Sequence, residues 1–222
     1  MRSFAELYAR AAARKGGPAA LEALIPAVRP AAELAAIGDD RWLSEMGRCV
    51  FQAGFVWRLV AAKWPAFERA LDGFDPHVVA HLGPDDFDRL LADARLIRHH
   101  AKMHALRENA TFILDLAAEH GSAGAFFAAS PAERYVDLLL LLKRRGSRLG
   151  GMAAQYFLRR MGLEAFVLSR DVVRVLVAEG VVDRAPTAQR DLRAVQSAFD
   201  HWRAESGRDL TAISRVLSMS VD

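Results

Sequence analysis

An all-helical fold is predicted by three observations. Apolar residues recur at three- and four-residue spacing along nearly the whole chain. Serines, aspartates and prolines stand where those patterns begin, and glycines stand where they end. No alternating apolar–polar run is long enough for a strand, and neither an internal repeat nor a low-complexity linker interrupts the helical pattern. The 222 residues, 52% of them apolar, suffice for one large domain or two small helical lobes.

In chain order, the alanine-rich stretch from Phe4 to Leu24 carries apolar residues at helical spacing and is ended by Pro26 and Pro30. Asp39 and Asp40 precede a helix with Leu43, Met46 and Val50. Trp57 to Leu71 forms the next, with Pro65 expected only near a helix start or as a break. Pro84-Asp85-Asp86-Phe87 opens a short helix with Phe87, Leu90, Leu91 and Ala94 on one face, and Ala101 to His120 follows, stopped by Gly121. Ser130-Pro131-Ala132-Glu133 has the form of a capping box. The helix it predicts runs along Tyr135, Leu138, Leu139 and Leu142 to Lys143, Arg144 and Arg145, where the helix dipole favours cations, and stops at Gly146. Met152 to Met161 is closed by Gly162, and Ser169 caps Asp171 to Glu179. Thr187 to Trp202 follows, and a last helix holds Ile213, Val216 and Leu217.

Composition narrows the function classes. No apolar run approaches the roughly 18–20 residues of a membrane span. The start, Met1-Arg2-Ser3-Phe4-Ala5-Glu6, has an early acid and no apolar block after it, so no signal peptide is expected. Cys49 is the single cysteine, which excludes an intrachain disulfide and suits a reducing cytoplasm. The formal net charge is +3, so nucleic-acid binding is permitted through a local basic patch and not demanded by charge. Phosphate-loop, dinucleotide, nucleophile-elbow and His-Glu-x-x-His signatures are missing. His99, His100 and His104, like His77 and His81, include helical i,i+4 pairs. Without a third ligand they are read as solvated side chains, and no metal or cofactor is expected.

Two stretches can carry chemistry. In Phe51-Gln52-Ala53-Gly54-Phe55-Val56-Trp57 an amide and large aromatics surround a glycine where the chain can turn. Stacking a base on an aromatic ring is worth roughly 1–3 kcal/mol, and a cationic base gains a further cation–π attraction. The plainer reading makes Phe51, Phe55 and Trp57 core residues of a helix and turn. The second stretch, Gly146 to Gly151 between two helices, leaves backbone N–H groups uncovered at a helix N-terminus, where an anion is favoured. Read plainly, it is a glycine-rich connection. Asp171 stands in the first turn of the helix after this pair, where an acid complements the dipole.

At these residues the chain resembles the 3-methyladenine DNA glycosylase I family of the helix-hairpin-helix glycosylases. Gln52-Ala53-Gly54-Phe55-Val56-Trp57 is similar to the family's Gln-Ala-Gly-apolar-x-Trp. Leu96-Ile97-Arg98-His99-His100-Ala101-Lys102-Met103, with Asn109-Ala110, resembles its Ile-Ile-Arg-x-x-x-Lys-Ile and Asn-Ala. Lys143-Arg144 through Gly150, then Tyr156-Phe157 and Gly162, resembles its hairpin and following helix, and Phe74-Asp75-Pro76 and Val79-Ala80 also fit. The resemblance implies two helical lobes with a cleft, in a single glycosylase-like domain over 1–222 with its hairpin around 143–162. It implies base contact by Phe51, Gln52 and Trp57. Contact with double-stranded DNA falls to Phe55 as a wedge and to Arg98, Lys102, Arg148, Gly150, Gly151, Met152 and Ala153.

The departures are equally specific. The family's zinc-binding cysteines and histidines are missing, and Cys49 stands where the family has a base-reading glutamate, with Glu45 one helical turn earlier. Residues from about 181 to 222 extend beyond the aligned core. The expected activity is removal of an alkylated purine, 3-methyladenine-like, by hydrolysis of its N-glycosidic bond after base flipping. Asp171 and Glu45 are the candidate catalytic carboxylates, and the protein is expected to act as a monomer, without a cofactor and away from membranes. A cationic alkylated base leaves readily, which eases the loss of the family glutamate. The rival reading is a non-catalytic protein that recognises damaged or kinked duplex.

Overall fold

A computed structural model describes residues 1–221. Among them every regular element is a helix, and the chain divides into two compact units. No helix is long and apolar enough to cross a membrane among the described residues.

The first unit comprises Met1–Arg29, Pro131–Leu138 and the chain from Gly162 onward. It holds α1 (Phe4–Lys15) and α2 (Pro18–Glu22), and the second holds α3 (Ala31–Ala35), α4 (Asp39–Gln52), α5 (Trp57–Ala70), α6 (Pro76–Ala80), α7 (Pro84–Ala92), α8 (His100–His120) and α9 (Ala123–Ala128). Helix α10 (Tyr135–Arg145) starts in the first unit and ends in the second, which also contains α11 (Met152–Met161). Helices α12 (Arg170–Ala178), α13 (Gln189–Ser206) and α14 (Leu210–Met219) complete the first unit, so the residues read as a C-terminal extension pack with the N-terminal helix α1.

Within the second unit α4 is the central helix, packed against α8 and α11. Its buried face carries Trp42, Leu43, Met46, Val50 and Phe51. Trp42 stacks on Phe127 with ring centroids 4.5 Å apart. Gly47 permits the approach to α8, because a Cβ there would lie 2.7 Å from Leu106 Cδ2. In the first unit, residues 163–168 form a non-helical segment buried against α14. Buried backbone N–H groups need partners. Ala165 N–H donates to Thr211 Oγ1 at 3.0 Å and Val167 N–H to Ser214 Oγ at 3.0 Å, which explains two buried hydroxyls on an apolar helix.

Several local expectations are corrected. The stretch Phe4 to Leu24 is broken by Gly16 and Gly17, both at positive φ, into α1 and α2. Ser130 does not cap: its hydroxyl donates to Phe126 O at 3.1 Å, and a short 3-10 turn, Ala132–Arg134, leads into α10 instead. Pro65 lies inside α5. The carbonyl it deprives of a partner belongs to Ala61, an exposed residue whose oxygen can turn to water. Ala94 falls outside α7 and is exposed. Tyr135, Leu138, Leu139 and Leu142 form the expected buried face of α10, and α11 has the expected bounds.

Candidate functional site

Helix α4 ends in a turn built by a lysine from another helix. The last carbonyls of a helix have no partner inside it and attract cations. Lys102 of α8, 5% exposed, donates its Nζ to Phe51 O at 3.1 Å and to Ala53 O at 2.5 Å. The same ammonium lies 4.5 Å from the Phe55 ring centroid. Burial pulls the lysine pKa down, and the charge of Arg148 adds to that. Gly54 then turns the chain at φ 82, and α5 begins at Trp57, which is 44% exposed.

The facing wall begins at the loop between α10 and α11. Asn109 clamps it with both ends of one amide: Oδ1 accepts from Ser147 N–H at 2.7 Å and Nδ2 donates to Ser147 O at 3.1 Å. Gly146 is required by close approach, since a Cβ would lie 2.8 Å from Leu142 O and 2.5 Å from Leu149 Cδ1. Gly150 and Gly151 are exposed, with Gly151 at φ 56, and Met152 starts α11.

Between these walls lies a cavity of about 200 Å³. Cys49, Gln52, Ala53, Gly54 and Trp57 line one side, and Met152, Ala153 and Tyr156 the other. The space is below the roughly 300–1,000 Å³ of drug-sized pockets and suits one flat ring system. Trp57 and Tyr156 meet edge to face at 4.9 Å. Arg160, one turn beyond Tyr156, stands behind the lining with its guanidinium carbon 4.7 Å from the Trp57 ring centroid. Its Nη1 donates to Gln52 Oε1, to Glu45 Oε1 at 3.2 Å and to Cys49 Sγ at 3.7 Å. Glu45 also pairs with Arg48. Burial, with Glu45 beside it, pushes the Cys49 thiol pKa up, so the group is a neutral wall and not a nucleophile.

Gln52, Trp57, Met152 and Ala153 therefore meet at one cavity, and Glu45 stands directly behind it. Other expected site residues are placed differently. Phe51 is 0% exposed and packs edge to face on Phe67 at 4.8 Å, so it belongs to the core and not to a base contact. Lys102 is occupied inside the turn and is not presented to a phosphate. Phe55 is half-buried between Lys102 and His99, while Val56 beside it is 67% exposed. Arg98 is exposed, and exposed Arg148, at φ 58, donates from Nε to Ala101 O at 3.2 Å. Asp171 lies in the first turn of α12, under the Ser169 cap, in the first unit. Sequence reading overlooked Tyr156 as a pocket wall and Arg160 altogether. Their i,i+4 spacing, with Met152 one turn earlier, was the available signal.

The all-helical framework that holds this cavity is similar in fold to solved helical DNA glycosylases. Staphylococcus aureus 3-methyladenine DNA glycosylase I, solved for its recognition of 3-methyladenine, superposes with TM-score 0.51 at 21% identity, over 69% of this chain and 89% of that one. A variant of 3-methyladenine DNA glycosylase I in complex with 3-methyladenine gives TM-score 0.53 at 20% identity, over 69% and 90%.

Over residues 38–137 the chain is similar to the methyladenine glycosylase family. DNA-3-methyladenine glycosylase 1 of Escherichia coli is 37% identical over 65 residues, 29% of this chain and 35% of that protein. The Haemophilus influenzae DNA-3-methyladenine glycosylase is 37% identical over 59 residues, 27% and 32%. The match thus spans about a third of these curated relatives. The segment similar to the family includes Gln52 and Trp57, whereas Met152, Tyr156 and Arg160 lie beyond it.

Proposed function

We propose that this protein excises an alkylated purine of the 3-methyladenine kind from double-stranded DNA by hydrolysing its N-glycosidic bond. The observation that carries this reading is the ring-sized cavity with half-exposed Trp57 at its side, set in a glycosylase fold. The flipped base stacks on Trp57 opposite Met152 and Ala153, with Gln52 at its edge. Unstacking requires a few kcal/mol, least for a damaged and weakly paired base, and the aromatic contact returns roughly 1–3 kcal/mol. Exposed Lys143, Arg144 and Arg98, and the N–H groups at Gly150, Gly151 and Met152, are offered to the phosphates.

In the chemical step the water oxygen bonds to the sugar C1′ as the bond to the base nitrogen breaks. The bonding electron pair leaves on the base, and the water proton passes to a carboxylate or to solvent. Asp171 and Glu45 are the two candidate carboxylates. Glu45, whose two oxygens are bound by Arg48 and Arg160 behind the cavity wall, is poorly placed to take that proton.

The test is chromatography of bases freed from alkylated duplex DNA. Wild-type protein should release alkylated purine well above the spontaneous rate. Trp57→Ala should lower release roughly ten- to a hundredfold with unchanged helical content. No release even at stoichiometric protein would sink the proposal. Asp171→Asn and Glu45→Gln, run in parallel, separate the two carboxylates.

A further inference from the structure

The first turn of α5 is built against the rules that start a helix. An N-cap is ordinarily Ser, Thr, Asp or Asn, and a capping box adds Glu or Gln three residues later. In α5 those two positions are Val56 and Leu59. Val56 makes no side-chain capping bond. Its carbonyl alone starts the helix, accepting from Leu59 N–H at 3.0 Å and Val60 N–H at 3.2 Å. Burial does not compensate either side chain, for Val56 is 67% exposed and Leu59 46%. The turn gives up capping and apolar burial at two neighbouring positions, and such a departure from local preference marks a place kept for function.

The position of this apolar pair says which function. Val56 lies outside the cavity lining but directly precedes Trp57, which is part of it. The Gly54 turn before it stands clear, since a Cβ there would meet nothing within 4 Å. Phe55, the residue expected to act as a wedge, is committed elsewhere: its ring centroid lies 4.5 Å from the Lys102 ammonium and 6.0 Å from the His99 ring. The first turn of α5 holds no acid, and its Arg58 is exposed, which suits a nearby phosphate backbone. A valine is stiff at χ1, so it loses little rotamer freedom on insertion. Exposed apolar side chains that enter a duplex unstack base steps.

We propose that Val56, supported by Leu59 beside it, is the wedge that enters the base stack and occupies the space left by the flipped nucleotide, while Trp57 receives the base. The inference rests on the reading of the cavity as a base site. It moves the wedge from Phe55, whose ring anchors the turn instead.

Binding of two duplexes tests it. One carries a tetrahydrofuran abasic site, which presents an empty position in the stack, and the other is intact. Wild type should prefer the abasic duplex. Val56→Ser should cut that preference about tenfold, the effect of withdrawing one buried valine side chain, and leave affinity for the intact duplex within about twofold. Serine is the better N-cap, so the melting temperature should hold or rise, which a merely structural valine would not allow. Val56→Ile should retain the preference, and release of alkylated purine from duplex DNA should fall with it in Val56→Ser. If Val56→Ser melts lower, Val56→Thr, of the same shape with a capping hydroxyl, replaces it. A preference kept by the variant, or an equal loss on both duplexes, overturns the inference. So does a preference that Phe55→Ala abolishes and Val56→Ser spares. Base release by wild type with no abasic preference removes the wedge and leaves the excision reading standing. An abasic preference that depends on Val56, with no base release, does the reverse.

Discussion

Lys102 carries its ammonium into the protein because the end of α4 leaves carbonyl oxygens there without helical partners. In the sequence it stands four residues after Arg98 in a basic run and reads as a phosphate contact. Nothing in that spacing discloses that two carbonyls from fifty residues earlier lie within its reach. The expected outcome of Lys102→Met, which keeps the apolar stem and deletes the donor, is a stability loss of about 1–3 kcal/mol, with base release lowered because the Gly54 turn loosens. Thermal melting and the release assay, run together, check it; unchanged melting would mean that the turn holds without the lysine. Phe51 was misplaced for a related reason. Aromatics within one short motif have no periodicity that separates the ring facing inward from the ring facing the cavity, and only the packing on Phe67 and Trp64 decides it. Trp57 was legible because Gly54 and the start of α5 intervene, which places it on a new helix with a new facing.

At the scale of elements, the turn chemistry that could be read was the chemistry made by neighbours in sequence. Ser169 and Gly162 bound their helices as expected, through a hydroxyl accepting from Val172 N–H and a glycine at φ 98. Ser130 failed because its hydroxyl was claimed by the preceding helix, four residues back, a choice that local pattern leaves open. Gly16 and Gly17 split a helix that alanine content favoured throughout, since a left-handed C-cap outweighs propensity. The loop between α10 and α11 carries the prediction for this scale. Lys143 and Arg144 are exposed and make no ion pair among the described residues, whereas Arg145 is tied to Glu119 at 2.7 Å and Asp115 at 3.5 Å. If the loop binds the duplex backbone, affinity falls with salt at a slope of about −0.9 per phosphate contact. Lys143→Ala and Arg144→Ala should each reduce that slope by about one, and Arg145→Ala should leave it nearly unchanged. Slopes from binding titrations at several salt concentrations decide between them, and equal effects at all three positions would count against a built phosphate site.

For the molecule as a whole, arginine–carboxylate pairs recur in both units, and they set how stability depends on pH. Glu22 illustrates the sign. Arg208 first, and the Tyr8 hydroxyl second, hold its carboxyl below the usual range. The ionised form is therefore favoured by folding. Its contribution is fully present above the unfolded carboxylate pKa of about 4.3 and is lost as pH falls through the lower folded value. Asp137, lowered mainly by Arg193, and Glu119, lowered mainly by Arg145, act in the same direction. Tyr8 supplies the opposite limb. Its hydrogen bond to Glu22 raises its pKa, so the neutral phenol is favoured by folding, and that contribution is lost as pH rises through the raised value. The melting temperature should accordingly be flat between about pH 5 and 9 and decline on both sides. Glu22 and Arg208 are each 39% exposed, so screening holds their pair to at most about 1 kcal/mol. Glu22→Gln should lower the plateau by no more than that, and it should shallow both declines at once, because the same carboxylate anchors the acid and the alkaline limb. Melting curves across the pH range at low and high salt test this. A variant that altered only the acid side would show that Tyr8 titrates independently of Glu22.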